Sequence, residues 1–335
     1  MDPVAQLRLT RELIDIDSTT GREGRAGELI ASTLHGLGWT VTRQPVSEGR
    51  FNIYASAGDP VVVFSTHFDC VPPHLPSRVE DGRLYGRGSC DAKGVLVAQI
   101  AAAERLRAEG ATDVGLLFVV GEERGSDGAR LANTIAPGSK FLVDGEPTDN
   151  RLGTSTRGVY RARIAAKGRA AHSSLPAEGE SAIEKLVDAL VKMRDVEWPE
   201  DPDMGRTFYV VGLIDGGIAP NVIPPEAGAE MMFRTVGDHA AVRALIEQHA
   251  AGLVTVEDVL VVPPVRLKTV PGIESAAFPF TTDIPLLDAW GEPLLIGPGS
   301  VKVAHTSGEF VEIEDLQEAV ELYVGVAKSL GAGAS

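Results

Sequence analysis

Apolar side chains recur at helical spacing twice near the start of the chain, at Val4, Leu7, Leu9, Leu13 and Ile14, then at Ala26, Leu29, Ile30 and Leu34. This periodicity predicts amphipathic helices over residues 3–16 and 25–36, the second closed by Gly36. Short β-type runs follow at 39–46 and 51–56, and after them three apolar runs at 61–64, 114–120 and 141–143. Uninterrupted apolar runs of that length predict strands covered on both faces. An Ala-rich segment at 92–109, ended by Gly110, predicts a helix between the first two. Strand, helix, strand, helix, strand is the order of an α/β layer, with parallel strands joined by covering helices.

From residue 157 the pattern changes to strand 159–166, helix 179–194, strands 207–214 and 227–235, helix 238–250 and strand 254–262. That βαββαβ order is ferredoxin-like and predicts an inserted α+β domain. An apolar helix-like stretch at 284–290, a strand at 293–296 and a last helix at 314–330 then return to the α/β pattern. The expected organisation is a discontinuous first domain, 1–156 and 266–335, interrupted by a second at 157–265.

Composition agrees with two domains: 335 residues, 44% of them hydrophobic and only 5% aromatic, supply enough apolar material for large cores. The 31 Lys and Arg against 47 Asp and Glu leave a formal charge of −16, which repels phosphate backbones and anionic lipid. No run of basic residues offers an exception, so neither nucleic acid nor a membrane is an expected partner. No apolar stretch reaches the roughly 18 residues of a membrane span, and Met1-Asp2-Pro3 does not open a signal peptide, so a cytoplasmic protein is expected. Cys70 and Cys90 cannot form a disulfide framework. Only the Gly/Ala/Ser tail at 331–335 reads as low complexity, and there is no internal repeat.

Candidate chemistry gathers where the apolar runs end. His67 and Asp69 follow the first, Glu122 and Glu123 the second, Asp144 and Glu146 the third; Asp91 precedes the Ala-rich helix and His305 lies in Ala-His-Thr-Ser-Gly-Glu-Phe. In open α/β sheets ligands bind at the carboxyl ends of the strands. Two imidazoles with several carboxylates suit Zn²⁺, with Co²⁺ or Mn²⁺ as substitutes because oxygen donors dominate.

Several of these segments resemble those of one family. They are Ser-Thr-His-Phe-Asp-Cys-Val-Pro-Pro at 65–73, Tyr-Gly-Arg-Gly-Ser-Cys-Asp-Ala-Lys-Gly at 85–94, Gly-Glu-Glu at 121–123, Gly-Glu-Pro-Thr at 145–148, Asn-Val-Ile-Pro-Pro at 221–225 and Gly-Pro-Gly through Ala-His-Thr at 297–306. With them the chain resembles, over nearly its whole length, the two-zinc metallopeptidases and amidohydrolases that include N-acetylornithine deacetylase, succinyl-diaminopimelate desuccinylase and glutamate carboxypeptidase. The resemblance implies a zinc-exopeptidase-like α/β catalytic domain and an inserted ferredoxin-like lid domain through which a homodimer forms. It implies two zinc ions, one bound by His67 and Glu146, the other by Glu123 and His305, with Asp91 bridging. Asp144 competes with Glu146 for its place. Residues 67 and 69 face one side of an extended segment, so Asp69 is expected to accept the second imidazole N–H of His67. Glu122, left free beside Glu123, is the expected general base, taking a proton from metal-bound water and delivering it to the departing amine.

In the inserted domain, His172 resembles the family histidine that reaches a neighbouring subunit's site and stabilises the oxyanion. Asn221 and Arg234 resemble substrate-binding residues, the arginine a fork for an α-carboxylate. Gly297 and Gly299 are expected to let the backbone approach substrate. Asp283 either faces a substrate ammonium or caps a helix over 284–290. His35, His74, His239 and His249 fit no ligand pattern, and both cysteines read as small-residue packing. The leading expectation is a metal-dependent hydrolase that removes an acyl group, acetyl foremost, from a small-molecule N-acyl amino acid such as N-acetylornithine, in arginine biosynthesis. Desuccinylation, deacylation of an N-acyl-lysine or N-acetylcitrulline, and dipeptidase or carboxypeptidase activity are the alternatives. Rival readings are a non-catalytic metal-binding protein, which has no use for a free Glu122, and a nucleotide-binding protein. Gly86-x-Gly88 argues poorly for the latter, since it follows no apolar strand and adjoins Asp91.

Overall fold

The N-terminal amphipathic stretches form helices α1 (Pro3–Ile14) and α2 (Gly24–Gly36), and the Asp2 carboxylate caps α1 by accepting the Ala5 N–H at 2.8 Å. In chain order there follow β1 (Thr40–Ser47), β2 (Arg50–Ser56), β3 (Val62–His67), α3 (Lys93–Ala108), β4 (Val114–Val119), α4 (Asp127–Ala132) and β5 (Phe141–Asp144). Then come β6 (Gly158–Lys167), α5 (Ala182–Met193), β7 (Phe208–Gly216), β8 (Glu226–Thr235), α6 (His239–His249), β9 (Thr255–Val262), β10 (Glu292–Leu295) and α7 (Ile313–Ser329). This computed structural model describes residues 1–333, so the last two positions of the tail predicted at 331–335 lie outside the described residues.

The chain divides into two units, each with its own core. The first comprises Met1–Thr154, Leu267–Ala276 and the chain from Thr282 onward; the second comprises Ser155–Arg266 and Ala277–Thr281. The segment 277–281, expected in the first domain, thus belongs to the second.

In the first unit a six-stranded sheet has the order β1-β2-β4-β3-β5-β10. The four strands from β4 to β10 are parallel, and the β1–β2 hairpin adds an antiparallel edge. Every residue of β3 and β4 is buried, as their unbroken apolar sequences require. Because these strands run the same way, their carboxyl ends bring His67, the 121–123 turn and the 144–146 segment to one edge of the sheet.

The expected helix at 284–290 is instead two 3₁₀ turns, Ile284–Leu286 and Asp288–Trp290. Pro285 cannot donate a backbone hydrogen bond and Gly291 ends the segment at once, while Trp290 is fully buried and donates its indole N–H to the Ala132 carbonyl at 3.1 Å. Gly86 does follow a strand, the three-residue Arg83–Tyr85, but it pairs antiparallel with Phe310–Glu312 outside the large sheet, unlike the strand of a dinucleotide fold.

The second unit is the ferredoxin-like arrangement: an antiparallel sheet in the order β7-β8-β6-β9, with α5 and α6 packed on it. Leu186, Ala189 and Met193 of α5 and Val242 and Ile246 of α6 join Tyr160, Met231 and Phe233 of the strands in its core. Strand β7 lies at the sheet edge and keeps Val210, Leu213 and Ile214 59–62% exposed.

Candidate metal centre

His67 ends β3 with its side chain almost wholly buried. Its Nε2 lies 3.0 Å from Asp91 Oδ1 and 3.9 Å from Glu146 Oε1. The other Asp91 oxygen lies 3.2 Å from His305 Nε2, which is in turn 3.0 Å from Glu123 Oε1. One carboxylate therefore stands between two imidazoles, each with a second carboxylate near the same ring nitrogen. Donor atoms of His67, Asp91 and Glu123 all fall within 4.8 Å of one another. Asp144 is elsewhere: its Oδ1 accepts the Ser65 hydroxyl at 2.5 Å and its Oδ2 is buried without a partner.

Burial and mutual repulsion dominate the electrostatics of these acids. Burial, only partly opposed by His67, pushes the Glu122 carboxyl well above its usual range, and Asp283 and Glu123 add to the shift. Burial does the same to Glu146 against the pull of His67, with Asp91 adding to it. Burial alone would lower the His67 pKa, yet the Asp69 and Asp91 carboxylates outweigh it and raise it above the usual imidazole range; Asp91 and Glu123 raise His305 to about 10. For Asp91, burial is outweighed by His305 and His67, which keep its carboxyl well below the usual range. The donor set, two imidazoles and three carboxylates around a shared oxygen pair, fits divalent cations with an imidazole preference.

The Glu122–Arg124 3₁₀ turn is held between Gly121 (φ 82°) and Gly125 (φ 97°). A side chain at Gly121 would place its Cβ 2.1 Å from Asp127 Oδ1, so the turn requires glycine there on both counts. Asp69 also fixes the same turn, a role beyond the expected one at His67. Its carboxylate accepts the main-chain N–H groups of Glu122 at 3.0 Å and Glu123 at 3.3 Å, and the Thr20 hydroxyl at 2.7 Å. The nearest acceptor to His67 Nδ1 is the Asp69 carbonyl oxygen at 3.0 Å, with the carboxylate at 3.5 Å. The Glu122 carboxylate makes no hydrogen bond or ion pair among the described residues.

Residues 63–329 match the sequence profile of Peptidase family M20/M25/M40. The chain belongs to this family. It is 36% identical over 334 residues to a peptidase M20 domain-containing protein of Schizosaccharomyces pombe, covering 95% of this chain and 82% of the relative. It is 34% identical over 372 residues to a probable carboxypeptidase of Aspergillus fumigatus, covering 95% and 84% respectively. Among solved structures, the aminopeptidase PepT of Bacillus cereus shares the fold, with a TM-score of 0.83 at 19% identity over 98% of this chain and 99% of that one. As a family M20 member the protein is a metal-dependent hydrolase.

The other expected site residues of this M20 chain are distributed between its units. His172, Asn221 and Arg234 lie in the second. His172 Nδ1 is 2.8 Å from the Ser174 hydroxyl and accepts the Ser174 N–H at 3.2 Å, which leaves the proton of a neutral ring on Nε2. The Ser173 N–H donates to the Asn221 carbonyl at 3.0 Å, so the two loops run together. Arg234, half-buried on β8, reaches only the Thr281 hydroxyl at 3.4 Å; no carboxylate pairs with it among the described residues.

Asp283, in the first unit, caps neither the expected helix nor the 3₁₀ turn that replaces it. Both its oxygens are buried without a well-aligned partner, and burial, only partly opposed by Ser126, raises its carboxyl to about 6. Gly297 is occupied differently from expectation: a Cβ there would meet the Glu146 carbonyl oxygen at 2.5 Å, so this glycine admits the Glu146 main chain. At Gly299 (φ 80°) a Cβ would likewise lie 2.6 Å from the Cys90 Cβ, so this glycine admits the Cys90 side chain. Sequence reasoning missed Glu309, whose buried carboxylate collects donors from the loop carrying Asp91. Its only signal was a place four residues after His305.

Proposed function

We propose that this M20 hydrolase cleaves the amide bond preceding an α-amino acid with a free carboxylate, acting as a carboxypeptidase or dipeptidase on short peptides. The observation that carries the reading is the placement of Asp91 between His67 and His305, with the Glu122 carboxylate free of hydrogen bonds and ion pairs among the described residues. Metal ions held by His67 and Glu146 on one side, Glu123 and His305 on the other, with Asp91 shared, would polarise the scissile carbonyl and acidify the attacking water. Zinc suits the donors best, and cobalt or manganese is the substitute. Glu122 takes the proton of that water and passes it to the departing amine nitrogen. Arg234, without an acidic partner among the described residues, is the fork for the substrate carboxylate, and the relative named as a probable carboxypeptidase favours a peptide.

An N-acetylamino acid presents the same amide and carboxylate with a smaller acyl half, so deacetylation of N-acetylornithine is the second reading. One panel tests both: dipeptides, longer peptides, N-acetylamino acids and C-terminally amidated peptides, each with metal-loaded and chelated protein. Metal-dependent release of a C-terminal residue, abolished by amidation, is expected. Equal cleavage of amidated peptides overturns the carboxylate requirement, and turnover confined to N-acetylamino acids moves the assignment to deacetylation.

The exposed apolar edge of β7 supports a homodimer in which two such strands pair. We further propose that His172 of one subunit donates its Nε2 proton to the oxyanion developing in the other subunit's site.

A further inference from the structure

We propose that Glu309, together with Arg87, is a positioning residue that fixes the Asp91 loop and thereby sets how tightly the protein holds metal. The inference rests on the metal reading of the site. Glu309 is 1% exposed and Arg87 2%. The Arg87 guanidinium donates to Glu309 Oε2 in a short charged hydrogen bond. The other oxygen, Oε1, accepts the main-chain N–H groups of Gly88 at 2.9 Å, Asp91 at 3.3 Å and Cys90 at 3.4 Å. Three main-chain donors within one four-residue stretch, 88–91, converge on a single carboxylate oxygen, as they would on a bound anion, but the anion comes from a segment 218 residues away.

A second link closes the arrangement, since the Gly86 N–H donates to the Glu309 main-chain oxygen at 3.1 Å. Gly88 (φ 88°) has no space for a side chain, with Cys70 Sγ 2.8 Å and Lys93 Cδ 2.9 Å from the position of a Cβ. The loop is therefore held from both sides. Among the described residues the Glu309 carboxylate is what the main-chain N–H of Asp91 donates to, while the Asp91 carbonyl accepts the Cys70 thiol at 3.8 Å; the two side-chain oxygens of Asp91 face His67 and His305 at once. Glu309 follows His305 by four residues, so the one carboxylate ties together two ligand segments far apart in sequence. A structural ion pair needs no such convergence on Asp91; a device that preorganises ligands does.

A glutamine at 309 keeps one acceptor oxygen but turns an amide N–H₂ toward Arg87 or toward the loop donors. An aspartate keeps the charge and is one methylene too short to span both. The test measures Zn²⁺ affinity and stoichiometry by chelator competition, the visible spectrum of the Co²⁺ form, and metal-free thermal melting, for wild type, Glu309→Gln, Glu309→Asp and the milder Arg87→Lys. Among variants folded at the assay temperature, an affinity loss of about 10- to 100-fold with an altered cobalt spectrum is expected. Wild-type affinity and spectrum in a folded variant, whatever its melting temperature, overturn the positioning role. Failure of the wild type itself to bind metal overturns the metal reading and this inference with it.

Discussion

The carboxylate of Asp69 accepts the main-chain N–H of Glu122 at 3.0 Å, in addition to lying 3.5 Å from the Nδ1 of His67, the imidazole two positions before it. With the Glu123 N–H on its second oxygen, Asp69 holds the turn that presents both acids. Asparagine can accept at only one atom, so Asp69→Asn should release one end of the turn. A kcat loss of about 10- to 100-fold with metal content retained is expected. Loss of metal at unchanged kcat per bound ion would place the role of Asp69 at His67 instead.

Glu122 and Glu123 are adjacent and chemically alike, yet only Glu123 contacts an imidazole, at 3.0 Å from His305 Nε2. Glu122→Gln should keep its metal and lose kcat by about 10²- to 10⁴-fold. Glu123→Ala should lose metal as well as activity. Elemental analysis beside steady-state kinetics separates the two, and full activity in Glu122→Gln removes the proposed base.

Protons and metal compete for the same atoms. Asp91 and Glu123 raise the His305 imidazole to about 10, so at pH 7.5 the metal-free ring is charged and an incoming ion must displace its proton. Calorimetry in buffers of different ionisation enthalpy should find proton release on Zn²⁺ binding, and apparent affinity should fall as pH is lowered. The folded pKa of His305 lies above its unfolded value. Its contribution to the metal-free fold is therefore complete below the unfolded value near 6.5 and lost as pH rises through about 10. Melting of the metal-free protein should fall across that interval. Zinc binding without proton exchange would contradict the arrangement.

Much of the candidate metal centre was legible because each proposed ligand follows an apolar run or sits in a distinctive segment: His67 at the end of β3, Glu123 after β4, Glu146 after β5. Strand direction then brings them to one edge, which periodicity and element order already implied. What could not be read depended on contacts across the chain. The partner of the Asp69 carboxylate is a turn 53 residues away, and that of Glu309 is a loop 218 residues away. Local pattern also misled where packing overrode it. The apolar content of 284–290 suggested a helix, but a proline and the burial of Trp290 give two short turns, and Asp283 is left with no helix to cap.

Arg234 has a hydroxyl contact and no acid among the described residues, a half-buried cation that a substrate carboxylate would complete. Arg234→Met should raise KM with little change in kcat. A charged hydrogen-bond pair contributes about 1.5–3 kcal/mol, which corresponds to roughly 10- to 100-fold. The same variant should lose its preference for free over amidated C-termini. A variant that still rejects amidated peptides would show that another group reads the carboxylate.

His172 lies in the second unit with Nδ1 engaged by Ser174, so its Nε2–H is the group it can offer to substrate. If it serves a neighbouring subunit, inactivity from its loss and inactivity from loss of Glu122 reside in different halves of a shared site. Mixing His172→Ala with Glu122→Gln protein should then form hybrid dimers in which one of the two sites has both residues intact, restoring up to about one quarter of wild-type activity after random exchange. Exchange is followed by mass spectrometry with one partner isotopically labelled. Hybrid dimers formed without recovered activity would confine His172 to its own subunit. A monomeric protein at assay concentration would remove the shared site together with the proposed pairing of β7 edges.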